Sequence, residues 1–436
     1  MSELNSTRTK SNYEKKVEDF AIEAISLFEP NLTLKDEKIL EYEKILYVLG
    51  NLIDIGGYDA NTDQKRAIIT GGLKLFSKNP NKSMDALLAD IKTEQKRTLK
   101  KPQKKFLAIF NFNADYEWLK EKRHFTINSN KIRIHNFKYL QKNFELDSPG
   151  KLPEDLNKFK DDLPTPQRLI DVFPELKDHS YLIMEVFATD GWEALLKTHN
   201  EIELLRAVFN FVIDEGYGHW VFGKPSPLGK IGQAKYIFVF DENKKFELYG
   251  ENDINDKFYQ KFNPRNNDSN ILNEVTKFLT QLEQQKQNKL RMLLTEALKF
   301  HNNALTQNET GYSFLSFFQV LELISLQQGK TNFDHVKKRV KAIFPDKQRM
   351  PEIIDAIFVK RNQLVHEGKI ENLTTFDLNM VKPISESCIR FLLNNIKVLK
   401  TRENFNTFYA NIGCGKEELY EKTKVFKYIT RIKFRD

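Results

Sequence analysis

Residues 351–368 read PEIIDAIFVKRNQLVHEG, and this stretch decides how the C-terminal part of the chain is understood. Ile353, Ile354, Ile357, Phe358, Leu364 and Val365 recur at helical spacing, which predicts an amphipathic helix with one buried face. Gly368 stands where a left-handed residue would close that helix. Arg361, Asn362 and His366 fall near its C-terminal end, within about two turns of one another. Asn362 and His366 are four apart and share a face, while Arg361 flanks that face. A permanent cation, an amide and a group that titrates near neutral pH are thus gathered on one short element.

Working outward, the neighbouring segments also carry helical periodicity. Leu272–Phe300 is expected to be one long helix with an interruption near Gln284–Gln287. Gly311–Gln328 follows, then Phe333–Phe344, which stops at Pro345. Leu373–Leu399 closes the set, with Pro383 as a first helical residue or a kink. Helices of this length with short links predict an antiparallel bundle over 263–404. In the tail, 405–436, Val425, Tyr428, Ile432 and Phe434 lie among basic residues and suggest an added strand.

The string Arg361-Asn362-Gln363-Leu364-Val365-His366 resembles the R-N-x-x-x-H motif of the HEPN superfamily. Its surroundings, roughly residues 285–400, look more loosely like the ApeA-type HEPN proteins. Four to five helices with the motif near the end of the penultimate one is the HEPN arrangement. The resemblance implies a metal-independent endoribonuclease whose two motifs meet at a homodimer interface and whose products end in a 2′,3′-cyclic phosphate. By that resemblance Arg361 is the phosphate-stabilising cation, His366 the proton-transfer residue and Asn362 an orienting group. Glu322, on the earlier helix, would be a supporting polar partner, and Lys360 an RNA-binding neighbour. No cofactor and no metal are expected.

The chemistry is coherent at the level of residue types. RNA carries its own nucleophile, the 2′-hydroxyl, so cleavage needs a base, an acid for the leaving 5′-oxygen, and positive charge at the crowded phosphate. Arginine binds phosphate oxygens through a planar fork, and histidine transfers protons near neutral pH. A helix C-terminus favours the imidazolium form, which suits an acid role. One helix offers one histidine, so two copies across a two-fold axis would supply both acid and base.

The chain preceding this region has two parts. Residues 1–100 read as a small helical bundle. Val17, Phe20, Ala21, Ile25 and Phe28 form one stripe and Tyr42, Ile45, Leu46 and Leu49 part of another, with a break at Asn79-Pro80-Asn81. Residues 101–262 predict an α+β domain with a mostly antiparallel sheet, giving an α+β class overall. Phe106–Phe112, Tyr181–Phe187, Trp220–Phe222, Tyr236–Phe240 and Phe246–Tyr249 are its strands, with a hairpin around Asn128-Ser129-Asn130. Thr189-Asp190 caps a helix from Trp192 to about Ile213. Pro149–Pro174 holds five prolines and five acids and is expected to be a connecting loop, and Asn263–Asp268 a domain boundary.

Between Lys92 and Lys142 fourteen Lys and Arg face four acids, with Phe106, Phe110, Tyr116, Trp118, Phe125, Phe137 and Tyr139 interleaved. Basic residues mixed with aromatics suit a surface that neutralises phosphates and stacks bases. Lys100, Lys101, Lys104 and Lys105 are the RNA-binding candidates on that reading. A solvated helix end followed by strands whose aromatics are core is the competing one.

Composition sets the outer limits. The 436 residues, with 40% hydrophobic and 29% charged residues and a formal charge of +8, fit two to three domains of a soluble protein that tolerates polyanions. No apolar run is long enough to span a membrane, no secretory signal is visible, and Cys388 and Cys414 make neither a disulfide framework nor a zinc site. A cytoplasmic protein is expected. GKPSPLGKIG at 223–232 is not a phosphate loop, because Ile231 follows Gly229-Lys230 where Ser or Thr is required, and an exposed loop is expected. A metal-dependent nuclease is disfavoured for want of a carboxylate cluster. A third reading by resemblance, the toxin of a nucleotidyltransferase-paired system, commonly carries a modifiable Tyr two residues after the His, and Gly368 at that position counts against it. The function expected is therefore a HEPN ribonuclease acting on tRNA, rRNA or mRNA. Its role would be that of a toxin or antiviral abortive-infection effector, restrained by its N-terminal domains and released by a phage-derived trigger. The alternative is a non-catalytic HEPN module that binds RNA, nucleotide or protein.

Overall fold

The computed structural model describes residues 7–9, 13–28, 38–55, 63–79, 82–144, 146, 167–168, 171, 177, 179–214, 229–232, 236–251, 262, 268–285, 288–325, 333–344, 349–367, 373–411 and 414–433. The chain divides into two compact units, Met1–Lys104 and Lys105–Asp436.

In the first unit, β1 (Thr7–Thr9), α1 (Glu14–Ser26), α2 (Ile39–Leu52), β2 (Ile53–Ile55), α3 (Asp63–Lys78) and α4 (Met84–Leu99) follow in order. The core is built from the expected stripes, with Val17, Ala21, Tyr42, Ile45, Leu46, Leu49, Ile69, Leu73, Phe76 and Ile91 buried together. The antiparallel ribbon β1–β2, with Thr7 opposite Ile55, was not expected in a region that reads as all helix. Its strands are three residues each, too short for a period-2 signal. Helices α3 and α4 approach closely at Gly72, where an added Cβ would stand 2.7 Å from the Ile91 Cα. Gly72→Ala is therefore expected to destabilise this unit by about 1–3 kcal/mol through overpacking. Chemical denaturation measures it, and an unchanged midpoint would contradict the close approach.

The second unit starts at Lys105, the second residue of β3 (Lys104–Asp115), followed by α5 (Tyr116–Leu119), the hairpin β4 (His124–Ile127) and β5 (Asn130–His135), then α6 (Phe137–Asn143). It continues through β6 (His179–Ala188), α7 (Gly191–Asp214), β7 (Tyr236–Asp241) and β8 (Phe246–Glu251). The six strands form one sheet in the order β4-β5-β6-β3-β7-β8. Each directly registered pair is antiparallel, and Lys105 facing Glu185 while Asn111 faces His179 gives β3 and β6 the opposite sense as well. Asn128 and Ser129 both have positive φ, as the tight hairpin turn requires. That turn is also held from outside: the backbone N–H of Ser129 donates to Glu283 and the Asn128 amide to Glu201.

Both faces of this sheet are covered. Phe106, Phe110 and Phe112 of β3 join a core shared with α7 and the C-terminal helices, whereas Leu107 and Ile109 join Phe137, Leu140 and Phe240 on the other face. Most of the aromatics interleaved with the basic run are accordingly core: Phe106, Phe110, Trp118, Phe125 and Phe137 are buried and Tyr116 is half-buried, whereas Tyr139 lies exposed against His135 at 3.8 Å.

The chain then continues through α8 (Asp268–Gln284), α9 (Lys289–Thr306), α10 (Thr310–Ser325), α11 (Phe333–Ala342), α12 (Met350–Glu367) and α13 (Thr375–Leu399). Two further helices, α14 (Arg402–Asn411) and α15 (Lys416–Lys433), complete it. The boundary expected at 262/263 lies inside this unit, because α8 packs on β4 and α7 and one continuous core runs from β3 to α14. The interruption near Gln284–Gln287 is present, with Asn288 capping α9. Pro383 sits inside α13, which starts earlier at a capping box of Thr374 and Asp377.

Among the described residues the tail is helical from Lys416 to Lys433 and adds no strand. Val425, Tyr428 and Ile432 are three and four apart, a helical spacing, and Glu418–Lys422 and Glu421–Lys424 pair along the helix at 2.6 and 2.8 Å. Trp220–Phe222, most of Pro149–Pro174 and most of Asn263–Asp268 lie outside the described residues. No described helix is long and apolar enough to cross a membrane.

Candidate active site on the helix Met350–Glu367

Helix α12 forms where its periodicity places it. Ile354, Ile357, Phe358 and Leu364 are buried, and Phe358 meets Phe318 of α10 edge-on at 4.8 Å. Asp355 binds Lys341 at 2.7 Å and Lys337 at 3.4 Å, tying α12 to α11, and the Lys341 hydrogen bond holds its carboxyl below the ordinary value.

Arg361 is the most constrained of the motif residues. Its guanidinium donates to Glu322 Oε1 of α10 at 3.1 Å and lies 5.6 Å above the Phe318 ring. The pair is largely shielded, with the side chains 14% and 20% exposed. Burial raises the Glu322 carboxyl above its ordinary value, opposed by the charge and hydrogen bond of Arg361. Asn362 Oδ1 stands 3.5 Å from the Arg361 guanidinium, and both Asn362 and His366 are exposed. Val359, seven residues before His366 on the same face, is exposed, as are Ala356 and Val365 on the flanks, so the exposed side of α12 mixes apolar groups with the amide and the imidazole. Lys360 turns toward Asp377 of α13 at 3.9 Å. Gly368 lies outside the described residues.

The other lysines are placed elsewhere. Lys100, Lys101 and Lys104 are exposed at the end of the first unit, whereas Lys105, in the second, binds Glu185 at 3.2 Å. Among the described residues no group of three or more His, Cys, Asp and Glu could hold a metal ion.

A second polar centre was not anticipated. His301 of α9 is fully buried and points Nε2 at Glu386 Oε1 of α13, 3.4 Å away. Lys382 binds the same carboxylate at 2.6 Å and also donates to the Asp214 carbonyl at the end of α7. Burial opposes ionisation of Glu386, but the His301 hydrogen bond and the Lys382 charge hold its carboxyl below the ordinary value. Nearby, Asn210 accepts from the backbone N–H groups of Lys230 and Ile231, and Asn113 accepts from Gly232. The described part of 223–232 is therefore clamped rather than loose, with Ile231 buried. The only local signal for this centre was the i,i+4 spacing of Lys382 and Glu386 on an otherwise apolar stripe.

Asp214 gives this centre a pH dependence. Burial lifts its carboxyl from 3.8 to about 7, against the charges of Lys382 and Lys230. Between those values the folded state keeps a proton that the unfolded state has lost. The contribution of Asp214 is thus fully present below about pH 4 and falls as pH rises to about 7. Relative to wild type, Asp214→Asn is expected to gain up to about 4 kcal/mol between pH 4 and pH 7. Parallel urea titrations across that range test it, and a pH-independent difference would refute the assignment.

No family model, no curated protein and no solved structure matches the chain.

Proposed function

We propose that the chain is a metal-independent endoribonuclease of HEPN type, with Arg361, Asn362 and His366 as its active site. The observation that carries this reading is the placement of Arg361. Glu322 and Phe318 pin its guanidinium against α10, with the Asn362 amide 3.5 Å away and His366 five residues further along the helix, both of them facing solvent. Such an arrangement presents one oriented cation and one proton-transfer group to an incoming phosphodiester. In the reaction the 2′-hydroxyl attacks the adjacent phosphorus, the 5′-oxygen leaves, and a 2′,3′-cyclic phosphate forms. His366 moves a proton at one oxygen, Arg361 offsets charge on the phosphate, and Asn362 orients the imidazole or the phosphate.

The second proton-transfer group comes from another copy of the chain. The exposed Val359, seven residues before His366 and on the same face, offers an apolar contact about which two α12 helices can meet across a two-fold axis, bringing two imidazoles to one site. The remaining body would hold the nuclease in check, as suits a cytoplasmic toxin or abortive-infection effector released by a phage-derived trigger. One observation favours a non-catalytic RNA- or nucleotide-binding module instead: the Glu322 carboxylate already offsets part of the Arg361 charge.

The test is cleavage of total cellular RNA and a tRNA pool by the purified chain in EDTA, alone and with lysate from phage-infected cells. Fragments with cyclic phosphate ends are expected. RNA binding with intact RNA under both conditions would establish the binding module.

A further inference from the structure

We propose that the last turn of α4 and the residues after it form an RNA-backbone docking groove, so that the N-terminal unit binds the phosphates of the RNA. Thr93, Lys96, Arg97, Lys100 and Lys101 line an open groove of about 450 Å³. The four cations are exposed, as is Lys104 beyond them. Arg97 reaches a carboxylate only at 3.5 Å, to Glu94 along its own helix. Among the described residues Lys96, Lys100, Lys101 and Lys104 have no ion-pair partner.

The negative end of the α4 dipole favours Lys96 and Arg97 in the last turn, but its influence fades within that turn. It does not account for Lys101 and Lys104. Unpaired like charges this close repel one another, and an anion entering between them relieves that repulsion.

The spacing favours a chain of phosphates over a single one. Lys96 and Lys100, the residue that caps α4, are four residues apart, about 6 Å along the helix axis, and Lys101 follows directly. The described lining has aliphatic stems and one hydroxyl but no aromatic ring to stack a base. Binding would therefore follow the sugar–phosphate backbone without reading sequence. The choice of RNA as the polyanion rests on the nuclease reading above, and the groove gives the N-terminal unit a role in holding that substrate.

The experiment uses the full chain carrying Arg361→Ala and His366→Ala, so that labelled RNA stays intact. Its binding to a single-stranded RNA and to a tRNA pool is followed by fluorescence anisotropy as salt rises from about 50 to about 200 mM. Adding Lys96→Gln, Lys100→Gln and Lys101→Gln is expected to weaken binding about tenfold or more at the lower salt. It should also make the log–log salt slope shallower by about two units, at about 0.7 for each phosphate no longer neutralised. The matching Lys→Arg triple keeps the charge and should bind within about twofold of the parent.

Coincident affinities and slopes for the parent and the Gln triple would overturn the proposal. So would an equal loss in the Arg triple, or a parent that binds no RNA. Because the readout is binding by a chain without its motif, the two readings fail separately. Wild-type cleavage with coincident isotherms removes the groove and keeps the nuclease. A lost slope in a chain that never cleaves removes the nuclease and keeps the groove.

Discussion

Arg361→Ala and His366→Ala are each expected to lower metal-independent RNA cleavage by about a hundred- to ten-thousandfold, the range typical of losing one proton-transfer or charge-stabilising group. The two substitutions should differ in what else they do. His366 is exposed on the last turn of α12, so its removal should change stability by no more than about 0.5 kcal/mol. Arg361 is joined to Glu322 and Phe318, so its loss also leaves a half-buried carboxylate without that guanidinium. Arg361→Lys keeps the charge but not the planar fork, and should recover only part of the rate. Initial rates in EDTA, together with melting curves of all three variants, measure these effects. If both Ala variants cut as fast as wild type, the motif is not the active site.

Lys382→Ala is expected to destabilise the second unit by about 3–5 kcal/mol, because it leaves the Glu386 carboxylate buried without its closest cation. Lys382 and Glu386 are 2.6 Å apart with side chains 6% and 4% exposed, so water cannot take over the role of the ammonium. The double substitution Lys382→Met with Glu386→Leu removes both charges and keeps most of the volume. It should cost markedly less than Lys382→Ala alone, since an apolar replacement of a buried pair is often close to neutral. Urea denaturation of the three chains distinguishes the cases. A double variant as unstable as the single one would mean that packing, not the unpaired charge, sets the cost.

Much of the fold was legible in local sequence. The strands Tyr181–Phe187, Tyr236–Phe240 and Phe246–Tyr249 and the capped helix after Thr189-Asp190 all appear within a few residues of where their patterns place them. The motif helix, predicted over 351–367, runs Met350–Glu367. The tail misleads because its β-branched and aromatic residues are strand formers, although Val425, Tyr428 and Ile432 also carry helical spacing. The aromatics around the basic run are ambiguous for a different reason. A strand buried on both faces loses its alternation, so nothing local separates a ring in the core from a ring offered to a base.

For the candidate site, local periodicity is enough to state which groups share α12 and which face each takes, because a helix repeats every 3.6 residues whatever it packs against. What surrounds them is set by long-range packing. The partners of Arg361 lie 39 and 43 residues earlier on α10, and the His301–Glu386–Lys382 cluster joins α9 to α13 at the end of α7. The domain boundary expected at 262/263 gave way for the same reason: α8 buries its apolar face against β4 and α7 rather than within a separate bundle. Periodicity states that a face must be buried, whereas the surface that buries it is set by packing between segments far apart in the chain.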